Sequence, residues 1–302
     1  MILAALDAQT LVDAVGLGAV YALMAVGIGL VFGVLRLVNF AYGQLVMAGA
    51  YTLAYTADRP VAVSVGACFL VVVALSLGMD RAVFRPLRGH SPAVMLVTTF
   101  AIAFMLQALA LLVDIRDGTI GEPATSVAPL NRAVDVAGVD VRKVTIVAVV
   151  VAVVALALLA LLLVRTTIGL HMRAAAADFR TARLLGVRAN RVIGSAVLLS
   201  GLLAATVAVI LTVQFPLVTP DFALRDTIVV LVGVVVGGID RLWTATLGGF
   251  TIGFATGVIN GALPTDKTVF LPSAVFALVI LVLLLRPAGL FAAGRAAGIE
   301  RV

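Results

Sequence analysis

The chain has 302 residues, 63% of them hydrophobic and 12% charged, with a mean hydropathy of +1.22. That composition lies outside the range of soluble domains and leaves a membrane protein as the class that fits. The net charge of +6 rests on few ionic side chains, so it indicates no nucleic-acid partner, and its information lies in where the charges sit.

Met1, Ile2 and Leu3 are followed by Asp7 and Asp13, with no Lys or Arg before Arg36, a pattern unlike a cleavable signal peptide. Two apolar stretches come first, Leu11 to Leu35, rich in glycine, and Val38 to Tyr55, which contains Asn39 and Gln44. Val61 to Met79, Ala93 to Val113, Val144 to Val164 and Val192 to Val213 follow, then the short Thr227 to Ile239, and finally Leu242 to Gly261 and Thr268 to Leu285. The longer blocks match the roughly 20 residues a helix needs to cross a bilayer at about 1.5 Å per residue. They lack the inside/outside alternation of barrel strands, so helices are the solution that satisfies the backbone in hydrocarbon. The expected fold is therefore all-α, a polytopic transmembrane bundle of about eight or nine helices forming a single domain over 1–302. Thr227 to Ile239 is too brief for an ordinary crossing and reads as a tilted, broken or re-entrant helix. If all nine blocks cross, the two ends of the chain lie on opposite sides.

Basic residues in short loops orient the chain. With Asp80 to His90, residues 165–191 and the C-terminal tail in the cytoplasm, 14 of the 21 Lys and Arg residues lie inside, and 11 of the 15 acidic residues, Asp226 among them, lie outside. The N-terminus is then external and the C-terminus cytoplasmic. The longest external segment, 114–143, is polar and mixed in sign, with Pro123 and Pro129. It has room for a short helix or hairpin and serves either as a solvated connector or as a docking surface for an external partner.

Cys68 lies mid-helix, and His90 and His171 have no carboxylate or thiol neighbours at ligand spacing, so no metal site and no cofactor is expected. Asn39, Gln44, Thr98, Gln107 and Asn260 are polar groups within apolar runs. Such groups either line a translocation path or bond neighbouring helices. Arg36 reads as a cytoplasmic anchor. Glycines at 249, 253, 257 and 261 place a smooth stripe on one helix face, suited to close packing within the chain or against a second subunit. No Gly-x-x-x-x-Gly-Lys-Ser/Thr loop occurs, so any nucleotide hydrolysis belongs to another chain and no catalytic residue is expected. Nor is there a row of intramembrane acids of the kind that relays protons.

The most informative segment is Thr167 to Val187. Its alanine-rich start favours helix, Asp178 is placed to cap a second short helix, and Gly186 suits the left-handed position that ends it. On that second helix Phe179, Ala182 and Leu185 share a face, the pattern of an edge laid into a partner's groove; arginine-rich docking on lipid headgroups is the other reading. The segment resembles the ATPase-coupling loop of branched-chain amino acid ABC transporter permeases, with Gly169, Arg173, Ala174, Asp178, Ala182, Leu185 and Gly186 as the matching residues, followed by Arg191. The same family resemblance runs through Gly33-Val-Leu-Arg-Leu-Val-Asn-Phe-Ala-Tyr-Gly43 with Met47, Gly49, Ala50 and Tyr51, through Arg85-Pro-Leu-Arg88 with Ser91-Pro92, through Thr98-Thr99 with Gln107, and through Arg286-Pro-Ala-Gly-Leu-Phe291. It covers nearly the whole chain. The segment Gly237-Gly-Ile-Asp-Arg-Leu-Trp-Thr departs from the family's small residues at Asp240, Arg241 and Thr244, and Ala292 stands where glycine is common.

The resemblance implies an importer subunit for branched-chain or other hydrophobic amino acids in a bacterial inner membrane. Its implied partners are a second homologous permease subunit, two cytoplasmic ABC ATPase subunits, an external solute-binding protein and the lipid bilayer. A related permease for urea, short amides or sugars, or a stand-alone secondary carrier, are the alternatives.

Overall fold

The structure, a computed structural model, describes residues 7–36, 38–87, 90–118, 121–125, 131, 133–136, 139–238, 241–286 and 290–291. The positions of Arg88, Pro129, Asp240, Pro287, Ala288, Gly289 and Ala292 named above lie outside them.

Seven apolar helices are long enough to cross a membrane. In chain order they are α1 (Ala8–Leu35), α3 (Val61–Met79), which continues through a π turn at Asp80–Phe84 into the single turn α4 (Arg85–Leu87), α5 (Pro92–Asp117), α6 (Lys143–Arg165), α9 (Ala189–Gln214), α11 (Leu242–Ala262) and α12 (Leu271–Leu285), the last led in by a 3-10 turn at Thr265–Phe270. Two shorter helices interleave with them, α2 (Tyr42–Tyr55) and α10 (Leu224–Gly237), each of 14 residues. Two small helices, α7 (Thr167–Ala177) and α8 (Phe179–Leu184), join α6 to α9.

Helix ends follow local chemistry. Proline opens α5, where its missing N–H costs nothing, and Gly118, at φ 69, closes it in the left-handed region. Between α5 and α6, β1 (Glu122–Pro123) pairs antiparallel with β4 (Leu217–Val218), while β2 (Ala133–Val136) and β3 (Val139–Arg142) form the hairpin for which 114–143 has room.

Contacts between distant residues set the direction of each helix. At one end of the bundle Gly261 abuts Thr10, Gly16 abuts Thr145, and Tyr51 donates to both oxygens of Asp114 at 3.0 and 2.8 Å. At the other end Gly29 abuts Leu242, Arg36 donates to the Ala176 carbonyl at 2.7 Å, and the Leu290 amide donates to Val236 at 2.7 Å. These are called the Thr10 end and the Arg36 end. Chain direction therefore alternates: α1, α3, α6 and α12 run toward the Arg36 end, and α5, α9 and α11 run back.

The two short helices complete passes that begin as non-helical chain. After α1 reaches the Arg36 end, residues 38–41 lead back into the bundle and α2 runs on to the Thr10 end. After α9 reaches the Thr10 end, residues 215–223 re-enter and α10 runs to the Arg36 end. Nine passes result, and the chain's two described ends lie at opposite ends of the bundle. The Val38 to Tyr55 block thus differs from the continuous helix its composition suggests, whereas the shortness of Thr227 to Ile239 does mark a broken element. Taken in order, α1, α2, α3, α5 and α9, α10, α11, α12 are two sets of four with opposite direction, an inverted repeat of the kind in which broken helices meet near mid-membrane.

Helices α1 and α9 are enclosed, with Val20, Leu23, Met24, Ala204 and Ala208 fully buried. Hydroxyls tie this centre together: Ser200 donates to the Gly27 carbonyl at 2.7 Å and Ser76 to the Val197 carbonyl at 2.9 Å. The glycine stripe of α11 packs within the chain, against α1. A methyl on Gly253 would lie 2.8 Å from the Gly18 Cα and 2.9 Å from the Leu17 carbonyl, and Gly257 faces Ala14 as closely. Helices associate in a bilayer through such close backbone approach, because lipid tails are as apolar as the helices themselves. The outer helices α5, α6 and α12 expose Leu112, Val153, Leu161 and Leu284, the surface a bilayer would cover.

Candidate functional site

Two regions carry the sequence-predicted residues. The first is the loop between α6 and α9 at the Arg36 end. Thr166 caps α7, its hydroxyl accepting from the Gly169 amide at 3.1 Å. Gly169 is buried against the last turn of α6, where any side chain would run into the Leu162 and Leu163 backbone, so glycine allows α7 to fold back sharply. Asp178 breaks the chain in extended conformation between α7 and α8. Its carboxylate accepts from the Thr181 amide at 3.2 Å and from the Thr181 hydroxyl, capping α8. Gly186, at φ 88, turns the chain in the left-handed region toward α9.

Arg173 and Asp178 are exposed, Ala174 is half-buried, and Ala182 is buried against the body of the loop. Of the face expected from Phe179, Ala182 and Leu185, Ala182 is buried and Phe179 half-buried, while Leu185, held at the end of α8 by the bond from its amide to the Thr181 carbonyl at 3.1 Å, stands exposed. What projects instead is a pair of leucines at the tip, Leu184 at 84% and Leu185 at 81% exposure. Sequence reasoning did not single out Leu184. Arg36 is also more than an anchor: left-handed itself at φ 54, it caps α1 and holds the last turn of α7 through its guanidinium. The loop is thereby tied to the segment that leads into α2.

The second region lies at mid-bundle, where the first turns of α2 and α10 meet. Gly43 faces Thr227 and the Ala223 carbonyl, and a methyl there would sit 3.0 Å from that oxygen. Depth is fixed by Tyr21, midway along α1, which donates to Asp226 in the first turn of α10 at 2.7 Å. The count of charges by loop places Asp226 outside; the structure carries it and its neighbour Arg225 to half the depth of the bundle. Beside this crossing is a pocket of about 250 Å³ lined by Phe40, Gln44, Phe100, Phe104, Gln107 and Ile228. Phe40 and Phe100 stack with ring centroids 3.9 Å apart. Gln44 is 1% exposed, and its Oε1 has no hydrogen-bond partner among the described residues.

Of the five path candidates, Gln44 and Gln107 come together in this pocket. Asn39 sits just before it, buried, its Oδ1 accepting from the Ala41 amide at 3.1 Å to shape the entry into α2. Thr98 bonds back to the Val94 carbonyl within α5 at 2.7 Å, and Asn260 is exposed near the Thr10 end of α11; neither reaches the pocket. Tyr21, Arg225 and Asp226 escaped sequence reasoning, although a charged pair heading an apolar block too short to span was the available signal. Among the described residues no group of three or more His, Cys, Asp or Glu side chains is placed to hold a metal.

Residues 10–286 match the family described as branched-chain amino acid transport system / permease component. The chain is similar to the high-affinity branched-chain amino acid transport system permease protein BraD of Pseudomonas aeruginosa, 29% identical and covering 93% of this chain and 94% of the relative. The LivH permease proteins of the corresponding systems in Salmonella typhimurium and Escherichia coli are 27% identical over the same shares. No solved structure matches the chain. With seven membrane-length apolar helices among the described residues, two shorter helices meeting at mid-bundle and a family match over almost its full length, the chain belongs to the branched-chain amino acid transport permease family, as a multi-pass membrane protein.

Proposed function

We propose that the chain is the permease subunit of an ATP-driven importer that moves branched-chain and other hydrophobic amino acids across a bacterial inner membrane. It pairs with a second homologous permease subunit, receives substrate from an external solute-binding protein at the Thr10 end, and engages two ABC ATPase subunits at the Arg36 end. The segment 165–191 sits in a groove of the ATPase, so that nucleotide-driven closure moves the helices and alternates access. The observation that carries this reading is the tip of that loop: two leucines more than four-fifths exposed, at the end of a helix, α8, that Asp178 caps and that follows α7, which Arg36 ties to α1. Exposed apolar side chains on a held, water-side element mark a protein interface rather than a lipid anchor, because they are rimmed by polar groups and stand off the bundle. Basic residues concentrated in the short loops at this end agree with its placement in the cytoplasm, and the family relatives, named for branched-chain amino acids, support the substrate class.

The test is Gly186→Val in the assembled transporter. A β-branched residue at φ 88 costs on the order of 1–2 kcal/mol and redirects the tip, so both ATPase association and leucine uptake should fall. Unchanged association together with unchanged uptake would sink the reading.

A further inference from the structure

A second pocket, of about 310 Å³, lies at the Arg36 end between the first turns of α7 and α9, behind the leucine tip of the loop. Its polar wall is basic: Thr167 and His171 come from α7, and Arg188, Arg191 and Ser195 from the start of α9, with no carboxylate among the residues that line it. Arg188 and Arg191 are exposed. Among the described residues neither guanidinium is in a hydrogen bond or an ion pair. Two like charges three residues apart repel each other, so an anion set between them relieves that repulsion and gains charge-assisted hydrogen bonds.

Two features say which anion. Helix α9 has 26 residues and is about 39 Å long at roughly 1.5 Å per residue, against a hydrocarbon core of about 30 Å. Its charged first turn therefore stands at the depth of lipid headgroups, the boundary that Arg165 marks at the end of α6. From that depth one row of α9 side chains, Arg188, Arg191, Ser195, Leu199 and Leu202, leads from the pocket into the membrane at helical spacing. Ser195 and Leu199 are half-buried, and Leu202 is the one exposed side chain among the described residues from Val192 to Gln214. The outward strip of an otherwise enclosed helix thus begins at the two arginines. A free phosphate would meet only the basic wall, whereas a phospholipid meets both the wall and the strip.

We propose that this pocket binds the phosphate headgroup of an anionic phospholipid, with Arg188 and Arg191 donating to the phosphate oxygens and an acyl chain lying along Ser195, Leu199 and Leu202. Basic pockets between membrane helices suit anionic headgroups in this way. The bound lipid bridges the start of α7 and the start of α9, and so steadies the base of the loop whose tip carries Leu184 and Leu185. The site operates whatever solute the protein moves.

Native mass spectrometry of the purified full-length protein counts the phospholipids that stay bound as each is titrated in detergent. Phosphatidylglycerol should bind about tenfold or more tightly than phosphatidylcholine, whose own cation meets the arginines. Arg188→Gln together with Arg191→Gln should abolish that preference, and Arg188→Lys together with Arg191→Lys should keep most of it. Arg81→Gln together with Arg286→Gln removes two exposed charges at the same end of the bundle, outside the pocket, and should leave it unchanged. Millimolar inorganic phosphate should not displace the lipid. Equal affinity for the two lipids, or a preference that survives both glutamine replacements, would overturn the proposal. Displacement by inorganic phosphate would overturn it too, as the mark of a free-anion site. If the glutamine pair keeps the lipid preference but loses the ATPase, the arginines belong to the protein interface instead.

Discussion

The seam between α1 and α11 offers a test in which geometry supplies the magnitude. Replacing Gly253 by alanine adds a Cβ at 2.8 Å from the Gly18 Cα and 2.9 Å from the Leu17 carbonyl, against the 3.4 Å at which ordinary Cβ contacts begin. The shortfall is about 0.6 Å, and the obstructing atoms are α1 backbone, so no side chain can rotate aside and the two helices must part. Overpacking of this kind costs about 1–3 kcal/mol, set against a gain of about 1 kcal/mol from replacing glycine in a helix. Gly66→Ala on α3 is the control, because a Cβ there meets nothing within 4 Å and only the propensity gain remains. The difference between the two variants, about 1–3 kcal/mol, isolates the seam. Cys68, fully buried, provides the assay: a thiol-reactive dye reports its exposure on heating in detergent. At about 2–4 °C per kcal/mol for a chain of this size, Gly253→Ala should melt several degrees below Gly66→Ala. Equal melting temperatures would refute the claim that backbone contact along this stripe holds α1 and α11 together.

Removing the Arg36 guanidinium by Arg36→Ala deletes a charged hydrogen bond worth about 1.5–3 kcal/mol between α1 and α7. In the assembled transporter, uptake per ATP hydrolysed should then fall several-fold while the subunits still copurify, which paired uptake and phosphate-release measurements would show. Tyr21→Phe leaves Asp226 without the hydroxyl that faces it at 2.7 Å, and the same Cys68 melting assay should record a loss of about 1–3 kcal/mol.

What was legible in the sequence depended on how local its physical cause was. A helix that must satisfy its own backbone in hydrocarbon is written in composition, so the seven long helices fall within a few residues of the apolar blocks. The break before α2 was hidden because most of the residues that lead into it from Val38 to Ala41, Val38 and Phe40 among them, are as apolar as the helix that follows. The break before α10 left a trace, since Thr219, Pro220 and Asp221 interrupt the apolar run and leave a block too short to span. The helical wheel drawn for α8 singled out Leu185 but not its equally exposed neighbour Leu184, because periodicity does not say which side chains of a six-residue helix the fold leaves uncovered.

Charge counting assigned Arg225 and Asp226 to a loop, since it measures distance along the chain and not depth. Residues 215–223 re-enter the bundle, and only the fold could say so. The sequence by itself determined a helical membrane protein of eight or nine apolar blocks, its family and a capped two-helix loop, all consequences of hydrophobicity and short-range backbone chemistry. The tertiary structure decided that Gln44 and Gln107 share one pocket, that Asp226 and its neighbour Arg225 lie at mid-bundle, and that Arg36 holds α7. Those facts arise from packing between helices far apart in the chain, where a glycine's missing side chain sets how closely two backbones approach.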